Sequence, residues 1–209
     1  MKTIDLASWK RAEHYQFFHN MDYPQYNICM NIEVTNFLER IKIKGLPFYY
    51  AMIYASMITL NEIEEMRYRI RNNQIILHER IHPSFTEMCS ESDLFKLVTV
   101  NLESSMEAFI DVAKAKAESQ TEYFPLSELG GRDDLVYITC IPWISFTHLS
   151  HTINLRKDDS VPRISWGKYF KEGDKVLLPF SVQVNHALVD GIHVGRYIEK
   201  LQEYMNAYQ

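Results

Sequence analysis

The sequence predicts an α+β fold, a large mixed β-sheet with helices packed on it. Three observations carry that reading. The chain ends in a strand followed by a helix: Val176, Leu178, Phe180, Val182 and Val184 alternate on one face of a strand over Val176 to Val184, and Val194, Ile198, Leu201, Met205 and Tyr208 then recur at helical spacing. Further helices and strands are mixed along the chain without a regular alternation. Finally, 209 residues with 46% hydrophobic and 23% charged side chains fit one compact domain, residues 1–209, with a substantial core.

The remaining elements follow in order. A first helix is expected from Thr35 to Lys44, stopped by Gly45, and a strongly apolar one from Pro47 to Asn61 with Pro47 in its first turn. Strands are expected over Arg67 to Arg71 and Gln74 to His78, joined by an Asn72-Asn73 turn, and over Phe95 to Val100. Ser104 and Glu107 have capping-box spacing for a helix that aligns Met106, Phe109, Ile110, Ala113 and Ala117. Asp133 to Thr139, Trp143 to Leu149 and Ile164 to Phe170 complete the strands. Gly130-Gly131 lacks a following Lys-Ser/Thr and reads as a plain turn, not a phosphate loop. No repeat, low-complexity tract or linker interrupts the chain.

Several function classes are disfavoured. The net charge of -5, with no Lys/Arg cluster, argues against nucleic-acid binding. Cys29, Cys89 and Cys140 are odd in number and not closely paired, so neither a disulfide framework nor a metal site is indicated. The first residues lack the apolar core of a signal peptide, and no apolar run is long enough to cross a bilayer. The expectation is a reduced, cytoplasmic protein with no membrane partner.

The chemistry concentrates at the strand-to-helix turn. His186 and Asp190-Gly191 form a His-x-x-x-Asp-Gly element. A strand would hold the imidazole, whose pKa near operating pH suits a general base. Spacing alone leaves a satisfied turn histidine as the competing reading. The surrounding string SVQVNHALVDGIHVGRYIEKLQEY, however, resembles the C-terminal signature of the chloramphenicol acetyltransferases, and its His-x-x-x-Asp-Gly core is shared by dihydrolipoyl acyltransferase catalytic domains. Ser8 to His14 with Tyr15 to Phe18, Arg67 to Arg71, Ile81 to Thr86, Cys140 to Thr147 and Ser165 to Tyr169 match further family segments in order.

This resemblance implies a chloramphenicol acetyltransferase-like two-layer sandwich that uses acetyl-CoA as co-substrate, with no metal. It implies direct acetyl transfer to a hydroxyl of chloramphenicol, with His186 as base and the Thr139 hydroxyl in the place of the oxyanion donor. Thr139 also reads as an ordinary β-branched strand residue. Asp190 invites a triad role, but the resemblance pairs it with Arg11 as structural support. His82 and His193 recur in the family pattern without a catalytic part and read as structural. The acceptor pocket maps to Phe18, Tyr26, Phe95, Phe124, His151 and Ile153, with Ser165 in place of an assisting threonine, and the CoA channel to Tyr49, Lys168 and Tyr169. His151 stands where leucine is usual, Asp22 lies in a pocket-closing loop, and Pro47 replaces a lysine. These departures keep open a different hydroxylated acceptor, or a non-catalytic binding protein of the same fold. The family assembles as homotrimers with sites between subunits, which is the expected partner arrangement here.

Overall fold

A computed structural model describes residues 1–89, 92–152, 155 and 158–209. In chain order the elements are β1 (Lys2–Ile4), α1 (Ala12–His19), β2 (Gln25–Glu33), α2 (Thr35–Ile43), α3 (Phe48–Leu60), β3 (Tyr68–Arg71), β4 (Gln74–Leu77), β5 (His82–Met88) and β6 (Phe95–Thr99). There follow α4 (Met106–Ser119), the short α5 (Leu126–Leu129), β7 (Leu135–Ile141), β8 (Arg163–Gly167), β9 (Phe170–Glu172), β10 (Lys175–Asn185) and α6 (Gly191–Ala207).

The main sheet has the order β2-β10-β8-β7-β5-β6, with β9 paired to β10. Its centre is parallel (β8-β7-β5) and its flanks antiparallel, so the sheet is mixed. A smaller antiparallel sheet, β1-β4-β3, lies apart. There Asn72 and Asn73 both have positive φ, 51° and 60°, as a tight hairpin turn between β3 and β4 requires.

The strand period of two gives the main sheet two unlike faces. On the first, Ile32, Phe85, Val98, Ile138, Ile164, Trp166, Phe180 and Val182 are fully buried. They join a core with Phe37 of α2, Met52 and Met57 of α3, Phe109 of α4 and Tyr197 and Leu201 of α6. Helix α3 is buried nearly all round, which explains why its sequence is apolar without a polar stripe. The second face carries Asn27, Tyr137, Thr139, Arg163, Ser165, Ser181 and Gln183, which occupy alternate positions of adjacent strands. Ser165, Ser181 and Gln183 are buried although polar, and each has a hydrogen-bond partner.

Residues of the 142–162 segment supply much of that satisfaction. Asn27 Nδ2 donates to the Leu149 carbonyl at 2.6 Å, and the Gln183 side-chain oxygen accepts the His151 N–H at 3.2 Å. Gln25 and Asn185 amides both donate to the Asp159 carbonyl, and Arg163 pairs with the Asp159 carboxylate at 2.7 Å. At Gly167 the backbone approach is close: a Cβ there would stand 2.7 Å from the Ile144 carbonyl oxygen. Only glycine permits that contact.

The structure corrects several expected elements. Trp143 to Leu149 is not a strand. Its backbone bonds to Lys168 and to Asn27 instead of entering a ladder. Ile164 to Phe170 divides into β8 and β9, and Ser105, not Ser104, caps α4, accepting the Ala108 N–H at 3.2 Å. Pro47 precedes α3 as its N-cap instead of lying in the first turn. Strand β2 is marked by alternating Tyr26, Ile28, Met30 and Ile32, a signal the sequence reading left unused. The α+β class and the sheet-with-helices architecture stand.

Candidate active site

His186 follows the last residue of β10, and four hydrogen bonds fix the backbone of His186 and Ala187. Its N–H donates to the Pro24 carbonyl at 2.7 Å, and its carbonyl accepts from Arg11 Nη2 at 2.9 Å. The preceding Asn185 folds back, its side-chain oxygen accepting the Ala187 N–H at 2.9 Å, while Arg11 Nε donates to the Ala187 carbonyl at 3.0 Å. The imidazole stacks on Phe18 with ring centroids 3.8 Å apart and 7° between planes, and Tyr26 leans on it at 4.5 Å. Burial pushes the Tyr26 phenol up to about 12, so it stays protonated beside the imidazole.

Asp190 sits one helical turn on. Both its oxygens accept from the Arg11 guanidinium, one of them at 2.6 Å. It also caps α6: its side chain accepts the His193 N–H, and His193 Nδ1 accepts the Asp190 N–H at 2.9 Å. Arg11 holds the Asp190 carboxyl below the usual carboxylate range, against the opposing effect of partial burial. Asp190 Oδ1 lies 3.2 Å from His186 Nδ1, yet the pair is not aligned as a hydrogen bond, and Nδ1 has no hydrogen-bond partner among the described residues. The carboxylate is thus committed to Arg11 and the helix cap, a geometry for holding the turn.

A second assembly lies farther along the sheet, where a cleft of about 570 Å³ opens, within the usual range for small-molecule sites. Its apolar wall is Met88, Phe95, Leu97, Phe124 and Trp143; Thr139, His151 and Arg163 add polar groups. Phe95 and Phe124 meet edge to face at 5.8 Å. Ser165 lies on β8 in register with Thr139 on β7. It is fully buried, and its Oγ is 2.6 Å from His151 Nε2. Burial, aided by the Arg163 charge, lowers the His151 pKa, so this imidazole is neutral at neutral pH.

Of the residues matched to the CoA channel, Tyr49 donates its hydroxyl to the Thr86 carbonyl and is partly buried. Lys168 and Tyr169 are exposed, Tyr169 resting edge-on against Phe48 at 5.6 Å. Tyr49 also borders a smaller cavity with Cys140, Pro142 and Trp143. Burial pushes the Cys140 thiol up to about 12, which leaves no thiolate to act as nucleophile.

The matched residues therefore fall into two groups in one chain: Arg11, Phe18, Tyr26, His186 and Asp190, and separately Phe95, Phe124, Thr139, His151 and Ser165. His186 is not among the residues that line the Phe95–Phe124 cleft. Ile153 lies outside the described residues. Sequence reasoning missed Asn27, Arg163, Gln183 and Asn185. Their signal was a polar side chain at every second position of otherwise apolar strands. His82 and His193 each accept a backbone N–H through Nδ1, from Leu102 and Asp190. Among the described residues no group of three or more His, Cys, Asp or Glu is placed to hold a metal, and no helix is long and apolar enough to cross a membrane.

Comparison with known proteins gives one consistent result. The profile of the family described as "Chloramphenicol acetyltransferase" matches residues 1–202. The chloramphenicol acetyltransferase of Klebsiella sp is 27% identical over 207 residues, covering 99% of this chain and 94% of that protein. Chloramphenicol acetyltransferase 3 of Escherichia coli is 29% identical over 207 residues, covering 98% and 96%. A solved chloramphenicol acetyltransferase superposes with a TM-score of 0.90 at 23% identity, covering 98% of this chain and 99% of that one. The dihydrolipoamide acetyltransferase of Azotobacter vinelandii superposes at 0.70 with 15% identity, covering 94% and 86%. With the profile matched over nearly the whole chain, the protein belongs to the chloramphenicol acetyltransferase family and is an acyltransferase.

Proposed function

We propose that the protein transfers the acetyl group of acetyl-CoA directly to a hydroxyl of chloramphenicol, with His186 as general base; such a reaction would confer resistance to that antibiotic. The observation that carries this reading is the immobilised imidazole at the end of β10, clamped by Phe18 and Tyr26 and with its turn tied down by Arg11. Nδ1 faces Asp190, so Nε2 is the nitrogen that accepts the acceptor's hydroxyl proton. The oxygen then attacks the thioester carbon, and the carbonyl oxygen becomes an oxyanion to which Thr139 donates its hydroxyl. Collapse expels the CoA thiolate, which takes the proton back from His186. A preorganised donor at such an oxyanion is worth about 10²–10³ in rate. The high pKa of Cys140 fits a direct transfer without an acyl-cysteine.

Acetyl-CoA would approach along the Tyr49, Lys168 and Tyr169 side. Tyr49 has given its hydroxyl to Thr86, so it offers CoA its ring and not a hydrogen bond. We further propose a homotrimer in which His186 of one copy faces the Phe95–Phe124 cleft of the next. His186 stands outside the cleft of its own chain, while Phe17, Trp143 and Ile144 are exposed at 64%, 65% and 56%, as surfaces covered by a neighbour would be. We further propose that the enzyme works in the cytoplasm. Release of CoA from acetyl-CoA, measured with and without chloramphenicol, tests the activity. Chloramphenicol-dependent release that disappears in His186→Ala is expected; release unaffected by that substitution would refute the assignment.

A further inference from the structure

We infer that Arg163 is a positioning residue for His186 of its own chain, acting through Asp159 and Asn185, and not a binding group for the acceptor whose cleft it borders. The inference rests on the acetyl-transfer and homotrimer readings above. Arg163 lies on β8, opposite Gln183 of β10, and forms part of the cleft wall. Its charge is spent before any acceptor arrives. Nη2 donates to Asp159 Oδ2 at 2.7 Å, and Nη1 donates to the Val161 carbonyl at 3.2 Å and to Asp159 Oδ1 at 3.4 Å. The two side chains are only 10% and 13% exposed, so neither charge can turn to water instead.

Asp159 passes this hold on through its backbone. Its carbonyl accepts from Gln25 Nε2 at 2.6 Å and from Asn185 Nδ2 at 3.0 Å. Gln25 and Asn185 face each other where β2 begins and β10 ends, and both are buried. Asn185 has its other side-chain atom on the turn that carries His186. Its Oδ1 accepts the Ala187 N–H at 2.9 Å, and its carbonyl accepts from Leu188 and Val189 at 3.0 Å each. An unbroken chain of contacts thus runs from the guanidinium to the residue after His186. Without Arg163 the Asp159 carboxylate is buried and unpaired, and its relief is a rotation toward solvent that draws its carbonyl away from the two amides. Asn185 is then free to turn and release Ala187. A misplacement of the imidazole by about 1 Å costs up to about 10² in rate. In the trimer, Arg163 and His186 of one chain belong to different sites: Arg163 borders its own cleft, while His186 serves the neighbour's.

Mixed trimers exploit that separation. Full-length Arg163→Met should lose about tenfold in kcat, while its dissociation constant for chloramphenicol, by calorimetry, stays within about threefold of wild type. It is then dissociated and reassembled in equal amounts with Thr139→Ala, and separately with His186→Ala. In the first mixture about a quarter of the sites pair His186 of an Arg163-intact chain with a cleft that lacks Arg163, and activity should reach about a quarter of wild type. In the second about a quarter pair His186 of an Arg163→Met chain with a cleft that keeps Arg163, and activity should not exceed that of Arg163→Met alone. Arg163→Lys, which keeps the charge but not the two-point grip, takes its place if the methionine variant does not fold. Recovery in the second mixture, recovery in neither while His186→Ala complements Thr139→Ala, or a loss of chloramphenicol affinity that accounts for the whole defect would overturn the inference. The His186 ring resonance, assigned by its absence from His186→Ala, reads the same effect without turnover. It should shift in Arg163→Met, and an unmoved resonance would overturn the inference whatever the kinetics show. If His186→Ala and Thr139→Ala fail to complement, the shared-site reading falls and the resonance decides. A shifted resonance without chloramphenicol-dependent CoA release would reject the transferase reading and leave the positioning role standing.

Discussion

Replacing Asp190 by Asn separates the two tasks of this carboxylate, because Asn caps a helix about as well as Asp but carries no charge. What remains to be lost is the ion pair with Arg11. That pair has two parallel N–H···O contacts, and its side chains are 11% and 27% exposed. A fully buried pair costs about 3–5 kcal/mol to break from one side, and a surface pair is worth about 0–1 kcal/mol. The partial exposure of Asp190 places the expected coupling between these, at roughly 2–3 kcal/mol. Arg11 also holds the His186 and Ala187 carbonyls, so a loosened guanidinium should displace the imidazole and lower kcat by about tenfold or more. The assay is a double-mutant cycle of Asp190→Asn and Arg11→Met, followed by urea unfolding at one fixed protein concentration and by steady-state kinetics. The lowered Asp190 pKa adds a sign. Its stabilisation is present above the unfolded carboxyl value near 4 and is lost as pH falls through the lower folded value. A coupling energy below about 0.5 kcal/mol, with kcat unchanged in Arg11→Met, would refute the holding role.

Three further outcomes follow from the same geometry. Thr139→Ala should reduce kcat by about 10²–10³ while leaving acetyl-CoA affinity within a few-fold, as stopped-time assays and calorimetry would show; a loss confined to KM would instead mark Thr139 as a packing residue. His151 has its pKa lowered by burial and then by Arg163, so the unfolded chain binds the proton more readily. Stability should decline as pH drops below the unfolded histidine value of about 6.5, and His151→Leu should flatten that part of the urea-midpoint profile. Gly167→Ala places a methyl 2.7 Å from the Ile144 carbonyl, which should destabilise the protein by about 1–3 kcal/mol; an unchanged thermal midpoint would show that the 142–147 backbone gives way freely.

The parts of the fold legible in the sequence are those whose signals are local. Helix α6 announces itself by spacing, α2 by Gly45 after it, α3 by its continuous apolar run behind Pro47, and the β3–β4 hairpin by its two asparagines. The 142–162 segment was not legible. Trp143, Ile144 and Phe146 suggest a strand, but the ladder position beside β7 belongs to β8, and the segment bonds to side chains of the polar sheet face instead. The site divides in the same way. His186 and Asp190 stand four residues apart, and their turn can be read directly. Arg11 lies 175 residues before His186, and only the family resemblance brought the two together. The His151–Ser165 contact spans 14 residues across an irregular segment, and no periodicity encodes it.

The central claim is that His186 of one copy acts on an acceptor held in the cleft of another, and subunit complementation tests it most directly. His186→Ala and Thr139→Ala proteins, each nearly inactive alone, are dissociated, mixed in equal amounts and reassembled. In a closed ring of like contacts, about a quarter of the shared sites then pair an intact His186 with an intact Thr139. The account predicts recovery of about a quarter of wild-type CoA release with chloramphenicol. Mixed assemblies that form but recover no activity above the two parents would contradict it.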